Sequence, residues 1–265
     1  MSRRLRRAWR TSLAASACLL LAACGASAAG SSQDQSGGRE LTVLAASSLT
    51  EVFTELGSRF EEGHPGVRVR FAFDSSATLA QQAAQGAPAD VLATADEATM
   101  RSAEKAGAVQ GSAETFALNE LVLVTPRDNP ADVTSLADLD RRRGDIEPAY
   151  VICVETAPCG DLAARALTQA GIQREPASLE IDVKAVLAKV VDDEADAGIV
   201  YATDAVAAGD AVRSFSIDGS DALRTSYLAA ALEPSSRPDL ARDWLTLLDS
   251  DVGRRALRTA GFGIP

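Results

Sequence analysis

Short apolar runs alternate with helix-period segments along almost the whole chain, and that alternation narrows the fold more than any other feature. Strand-like runs fall at Leu41–Leu44, Val67–Phe73, Val91–Thr94, Leu118–Thr125, Tyr150–Val154, Gly198–Tyr201, Val212–Ile217 and Ser226–Leu232. Between them, Leu49–Glu61 carries Val52, Phe53, Leu56 and Phe60 on one helical face, and Glu97–Ala106, Asp161–Ala170 and Asp182–Asp192 read as further helices. A helix runs from the serines at 75–76 to about Gln85, short helical pieces fall at Ser135–Leu139 and Thr203–Ala207, and Pro238–Ala260 reads as two helices. Such alternation predicts a parallel α/β architecture. Ligands of such folds sit at the carboxyl ends of strands, against the N-termini of the helices that follow. Two long apolar strands, near residues 121 and 228, bracket the middle of the chain. The expectation is two Rossmann-like lobes joined by a two-strand hinge, with residues 40–120 and 226–265 in lobe 1 and 121–225 in lobe 2.

The first residues read as a targeting segment rather than as part of the fold. Arg3, Arg4, Arg6, Arg7 and Arg10 precede a short apolar core, Leu13–Ala23, too short for a stable membrane span. That core ends in LAAC (Leu21–Cys24), the pattern of a lipoprotein signal cleaved before a lipid-modified Cys24. Residues 24–39 are poor in large apolar side chains, as a flexible tether is. The expected product is exported and anchored by Cys24 to the outer face of the cell membrane, with no other membrane contact. Losing residues 1–23 removes five arginines and no acids, taking the formal charge from −11 to −16. So acidic a chain is a poor partner for nucleic acid. About 225 residues remain, enough for two lobes with cores of their own, and a monomer is expected. Of four cysteines, Cys153 and Cys159 are left as a close pair in an oxidising compartment, where a disulfide is the first expectation and a metal site a distant second.

Four places join a strand end to a helix start built of small polar or flexible residues: Ser47–Ser48, Ser75–Ser76, Pro158–Gly160 and Asp182–Val183. Tyr201, ending the strand GIVY, is a fifth candidate. Each has a plainer reading as a cap, a turn or a core residue; Ser48 and Glu51, for instance, have capping-box spacing. Their joint occurrence is what a cleft-bound oxyanion requires, because helix N-termini offer free N–H groups and partial positive charge without lysine or arginine. Asp74 is then expected to point away from the anion.

The stretches LTVLAASSLTEVFTEL, FDSSATLAQQ, GAPADVLATAD and GIVYATDAV, in that order, resemble the periplasmic molybdate-binding proteins of ABC transporters. The resemblance runs from about Leu41 to the end of the chain. It implies a type II periplasmic-binding-protein fold that takes molybdate or tungstate and delivers it to ABC permease subunits, with no cofactor and no protein-ligated cation. The family's two serine ligands fall on Ser48 and Ser76, its two backbone N–H donors on Cys159 and Val183, and its tyrosine on Tyr201. Departures are the small residues Ser47 and Ala77 beside the serine motifs, and a cysteine at 159 where a plain small residue is usual.

An enzyme would need Ser48 or Ser76 as nucleophile, and the chain offers no base beside them. The only histidine, His64, sits in the turn GHPG, and no G-x-S-x-G elbow occurs. Sulfate and phosphate remain the alternative ligands of the same fold.

Overall fold

The structure is a computed structural model and describes residues 39–141, 147–219 and 223–265. Cys24, the targeting segment and most of the tether lie outside the described residues.

Two five-stranded sheets organise the chain. The first uses β1 (Arg39–Ala46), β2 (Val67–Asp74), β3 (Val91–Thr94), β4 (Val109–Asn119) and β10 (Thr225–Leu232), in the order β2-β1-β3-β10-β4. The second uses β5 (Leu121–Pro126), β6 (Tyr150–Cys153), β7 (Ser178–Glu180), β8 (Ala197–Tyr201) and β9 (Val212–Ser216), in the order β7-β6-β8-β5-β9. Helices α1 (Thr50–Gly63), α2 (Ser76–Ala84) and α3 (Glu97–Lys105) follow the first three strands. Helices α4 (Pro158–Ala170), α5 (Val183–Val191) and α6 (Ala202–Ala208) follow β6, β7 and β8, and α7 (Pro238–Asp249) and α8 (Asp251–Thr259) close the chain.

The sheets are mixed, which corrects the all-parallel expectation. β1 pairs in parallel with β2 and β3, and β6 with β7 and β8, as helical crossovers require. The strands through which the chain changes sheet run the other way. β10 is antiparallel to both β3 and β4, and β5 to both β8 and β9. The single strand expected over Leu118–Thr125 is two strands, parted at Glu120. The Asn119 Oδ1 accepts the Glu120 N–H at 3.0 Å, so a group that a continuous strand would give to its neighbour is satisfied locally, and the chain is free to leave one sheet for the other.

In the first lobe the predicted face of α1 is buried: Val52, Phe53, Leu56 and Phe60 all lie in the core. Trp244 of α7 is fully buried among them, edge-on to Phe53 at 5.3 Å and to Phe60 at 5.5 Å. Burying a side chain of Phe size stabilises by roughly 1.5–3 kcal/mol, which fixes α1 and the turn ahead of it against the sheet. Among the described residues no helix is long and apolar enough to cross a membrane.

Candidate functional site

The carboxyl ends of β1, β2 and β8 are Ala46, Asp74 and Tyr201, and all three line one small cleft. Around it also stand Ser47, Ser48, Ser75, Ser76, Ala95, Pro158, Cys159, Asp182 and Val183. All five residues predicted to bind the anion are therefore brought together, two from the first lobe and three from the second. The cleft holds about 200 Å³ of space between atoms, of which about 10 Å³ admits the centre of a water molecule. That is close to the least volume that holds one water, so a four-oxygen anion needs the lobes to part before it enters.

The serines do not serve as the predicted caps. Ser47–Leu49 forms a 3₁₀ turn, α1 is preceded by Leu49 with no side-chain cap, and the capping box of Ser48 with Glu51 is not made. Ser48 Oγ instead lies 2.7 Å from the Tyr227 hydroxyl of β10. A long-range partner has displaced a local one. Ser76 Oγ accepts the Ala95 N–H at 2.9 Å. Asp182 does cap: its carboxylate accepts the Ala185 N–H at 2.9 Å, which leaves the first-turn N–H of Val183 without an acceptor inside the helix. α4 begins at Pro158 rather than at Asp161, so Cys159 also sits in a first turn.

Hydrogen-bond polarity follows from the partners. The Glu120 N–H fixes which end of the Asn119 amide is the oxygen, so Asn119 Nδ2 must donate, to Thr203 Oγ1 at 2.9 Å and to the Tyr227 oxygen at 3.3 Å. Tyr227 therefore accepts from Asn119, and its hydroxyl and that of Ser48 share one hydrogen bond at 2.7 Å, in which either can donate. Ser76, which accepts from Ala95, keeps its proton. The Tyr201 hydroxyl is buried with no hydrogen-bond partner. Burial, together with the neighbouring Tyr227, pushes its pKa well above the usual phenol value, so it stays a donor. The wall is thus donor-rich and contains no lysine or arginine.

Asp74 is among the residues that line the cleft. Its Oδ1 accepts the adjacent Ser75 N–H at 2.6 Å, a local bond that holds the carboxylate beside the start of α2. Cys153 and Cys159 are joined with an S–S distance of 2.07 Å, linking the end of β6 to the first turn of α4. At that turn a Cβ on Gly160 would lie 1.9 Å from the Val154 carbonyl oxygen, so only glycine fits.

Lys184, one residue beyond Val183, spans the lobes. Its Nζ lies 2.8 Å from Glu51 of α1 and 3.1 Å from the fully buried Asp204 of α6. Burial works against the Lys184 charge, but Asp204 and Glu51 outweigh it and raise the ammonium pKa. Burial pushes the Asp204 carboxyl up to about 6, with Lys184 opposing. Sequence reading missed Asn119, Tyr227 and this ion cluster, and named Ser75 only as the neighbour of Ser76.

The model of the bacterial extracellular solute-binding proteins matches residues 41–263 of this chain. Over 247 residues the chain is 39% identical to the molybdate-binding protein ModA of Mycobacterium tuberculosis, covering 92% of this chain and 93% of the relative. ModA of Haemophilus influenzae is 30% identical over 260 residues, covering 93% and 96%. The periplasmic molybdate-binding protein of Azotobacter vinelandii, 20% identical, shares the fold with a TM-score of 0.72 over 85% of this chain and 99% of that one. Two mixed sheets with flanking helices and a cleft between them define a two-lobed solute-binding protein of the type II periplasmic class, not an enzyme. Within that class the chain belongs to the family of periplasmic molybdate-binding proteins of ABC transporters.

Proposed function

We propose that this protein captures molybdate or tungstate in the interlobe cleft and hands it to an ABC permease, while lipid on Cys24 anchors it to the outer face of the membrane. The observation that carries the reading is the meeting of Ser48, Ser76, Cys159, Val183 and Tyr201 in one cleft whose free polar groups are mainly donors. A fully ionised tetrahedral anion offers only acceptors, so it matches such a wall. Ser48 and Ser76 hold the anion on the first lobe, and the Cys159 and Val183 N–H groups and the Tyr201 hydroxyl complete the shell from the second. Selection follows from how well this set of donors replaces the hydration shell.

A second reading is favoured by one observation, the presence of Asp74 among the residues that line the cleft. An acceptor there suits an anion that carries a proton, as hydrogen phosphate does. Calorimetry on the chain from Arg39, titrated separately with molybdate, tungstate, sulfate and phosphate, decides between the two. One-to-one binding of molybdate and tungstate with no heat from phosphate or sulfate is the expected result. Phosphate binding that is lost in Asp74→Asn would move the protein to the second reading, and silence from all four anions would end both.

A further inference from the structure

We propose that Ser75 supplies a further hydroxyl to the bound oxyanion, so that the start of α2 grips it with two adjacent serines. This rests on the cleft being the anion site, as proposed above. Ser75 is 5% exposed, lines the cleft, and its Oγ has no hydrogen-bond partner. A buried hydroxyl left unpaired is costly and uncommon, so it calls for a partner from outside the chain.

The local alternatives are closed to it. Ser75 is the N-cap residue of α2, where a serine ordinarily accepts an N–H from the first helical turn, yet its side chain makes no such bond. Its backbone N–H is held by Asp74 Oδ1, so Ser75 can reach a ligand only through its hydroxyl. Ser75 shares this state with Tyr201, the other unpaired buried hydroxyl in the cleft wall. The other buried side-chain atoms without a hydrogen bond among the described residues belong to Arg237, Trp244 and Asp204, the last ion-paired with Lys184, and none of the three lines the cleft. The ligand has room for another donor as well. Four anionic oxygens accept about eight hydrogen bonds, counting about two lone pairs each, and the shell proposed above supplies fewer.

Molybdate titration of the full-length chain in detergent, with thermal unfolding in the presence and absence of molybdate, tests the assignment on Ser75→Ala, Ser75→Cys and Ser76→Ala. Ser75→Ala should weaken molybdate binding roughly ten- to hundredfold, the scale of a hydrogen bond to a charged group. Its ligand-free midpoint should be unchanged or higher, because an unpaired buried hydroxyl has been removed. Ser75→Cys keeps a weaker donor on a slightly larger side chain, and should fall between Ser75→Ala and the natural chain. Unchanged affinity in Ser75→Ala beside a clear loss in Ser76→Ala would overturn the Ser75 assignment and leave the site standing. So would a lowered ligand-free midpoint with the molybdate-induced rise intact, the signature of a helix cap. Normal binding in both alanine variants would remove the site itself, and Ser75 with it.

Discussion

Ser48 shows how a single side chain can be legible in type and illegible in partner. Its position between a buried strand and a helix start marks it as a polar residue at a strand end, and the structure puts it in the cleft wall. The group that orients it, Tyr227, lies 179 residues away in a strand that reads simply as apolar. Asn119, which donates to the Tyr227 hydroxyl, is equally hidden at the end of β4. Periodicity reports which face of a strand is buried, but not which buried hydroxyl meets which. Ser76, Cys159, Val183 and Tyr201 were readable because each is positioned by its own local element. Tyr227→Phe tests the chain from Asn119 to Ser48. It leaves Ser48 Oγ and Asn119 with one partner fewer each, at a cost of about 1–3 kcal/mol in stability. Anion binding should weaken too, because the Ser48 hydroxyl is no longer held in place by Tyr227. Chemical denaturation and calorimetry on the same variant measure both effects, and unchanged affinity would mean that Ser48 orients itself.

At the scale of elements, the alternation of strands and helices was readable, but the direction of the crossing strands was not. Whether a strand pairs parallel or antiparallel depends on the sheet it came from, and β5 and β10 both arrive from the other sheet rather than through a helical crossover. β7 escaped notice because three residues, Ser178–Glu180, are too few for a period to show. The first part of β4, VQGSAETFA, escaped because it is largely exposed and carries Gly111 at φ +77°. The start of α4 illustrates the opposite case, in which one residue decides an element. Gly160 lets the first turn of α4 pack against the end of β6, and the Cys153–Cys159 bridge ties the same two elements covalently. Gly160→Ala puts a methyl group into the Val154 carbonyl, so the turn that carries the Cys159 N–H must shift. The expected cost is about 1–3 kcal/mol or more, the scale of overpacking a tight site, with weaker anion binding alongside. Gly63→Ala, where a Cβ meets nothing within 4 Å, is the matched control and should leave both stability and binding near the natural values. Equal behaviour of the two variants in thermal unfolding would show that the α4 turn is not the constraint described.

For the molecule as a whole, a formal charge of −11 over the full sequence, and −16 without residues 1–23 (−11 − 5), opposes the capture of an anion, and the cleft wall holds no lysine or arginine to offset it. The kinetics should therefore depend on salt in two separable ways. Screening weakens the repulsion between an acidic protein and a dianion, so the association rate should rise with ionic strength, the reverse of electrostatic steering. The dissociation rate reports the lobe contact instead. Lys184 bridges Glu51 on one lobe to Asp204 on the other, and when the lobes part only the Glu51 bond is broken. The Lys184–Asp204 pair stays within the second lobe, where the ammonium compensates a fully buried carboxyl. Glu51 is half exposed, so its bond is worth no more than about 0.2–1 kcal/mol, up to about a fivefold change in rate. Glu51→Gln should raise the dissociation rate of molybdate by that factor at low salt and abolish most of its salt dependence, while thermal stability barely moves. Stopped-flow measurements at two ionic strengths read all four rates. If Glu51→Gln released the anion at the natural rate in low salt, the ion pair would be a bystander, and lobe closure would rest on the ligand's own bonds to the two lobes.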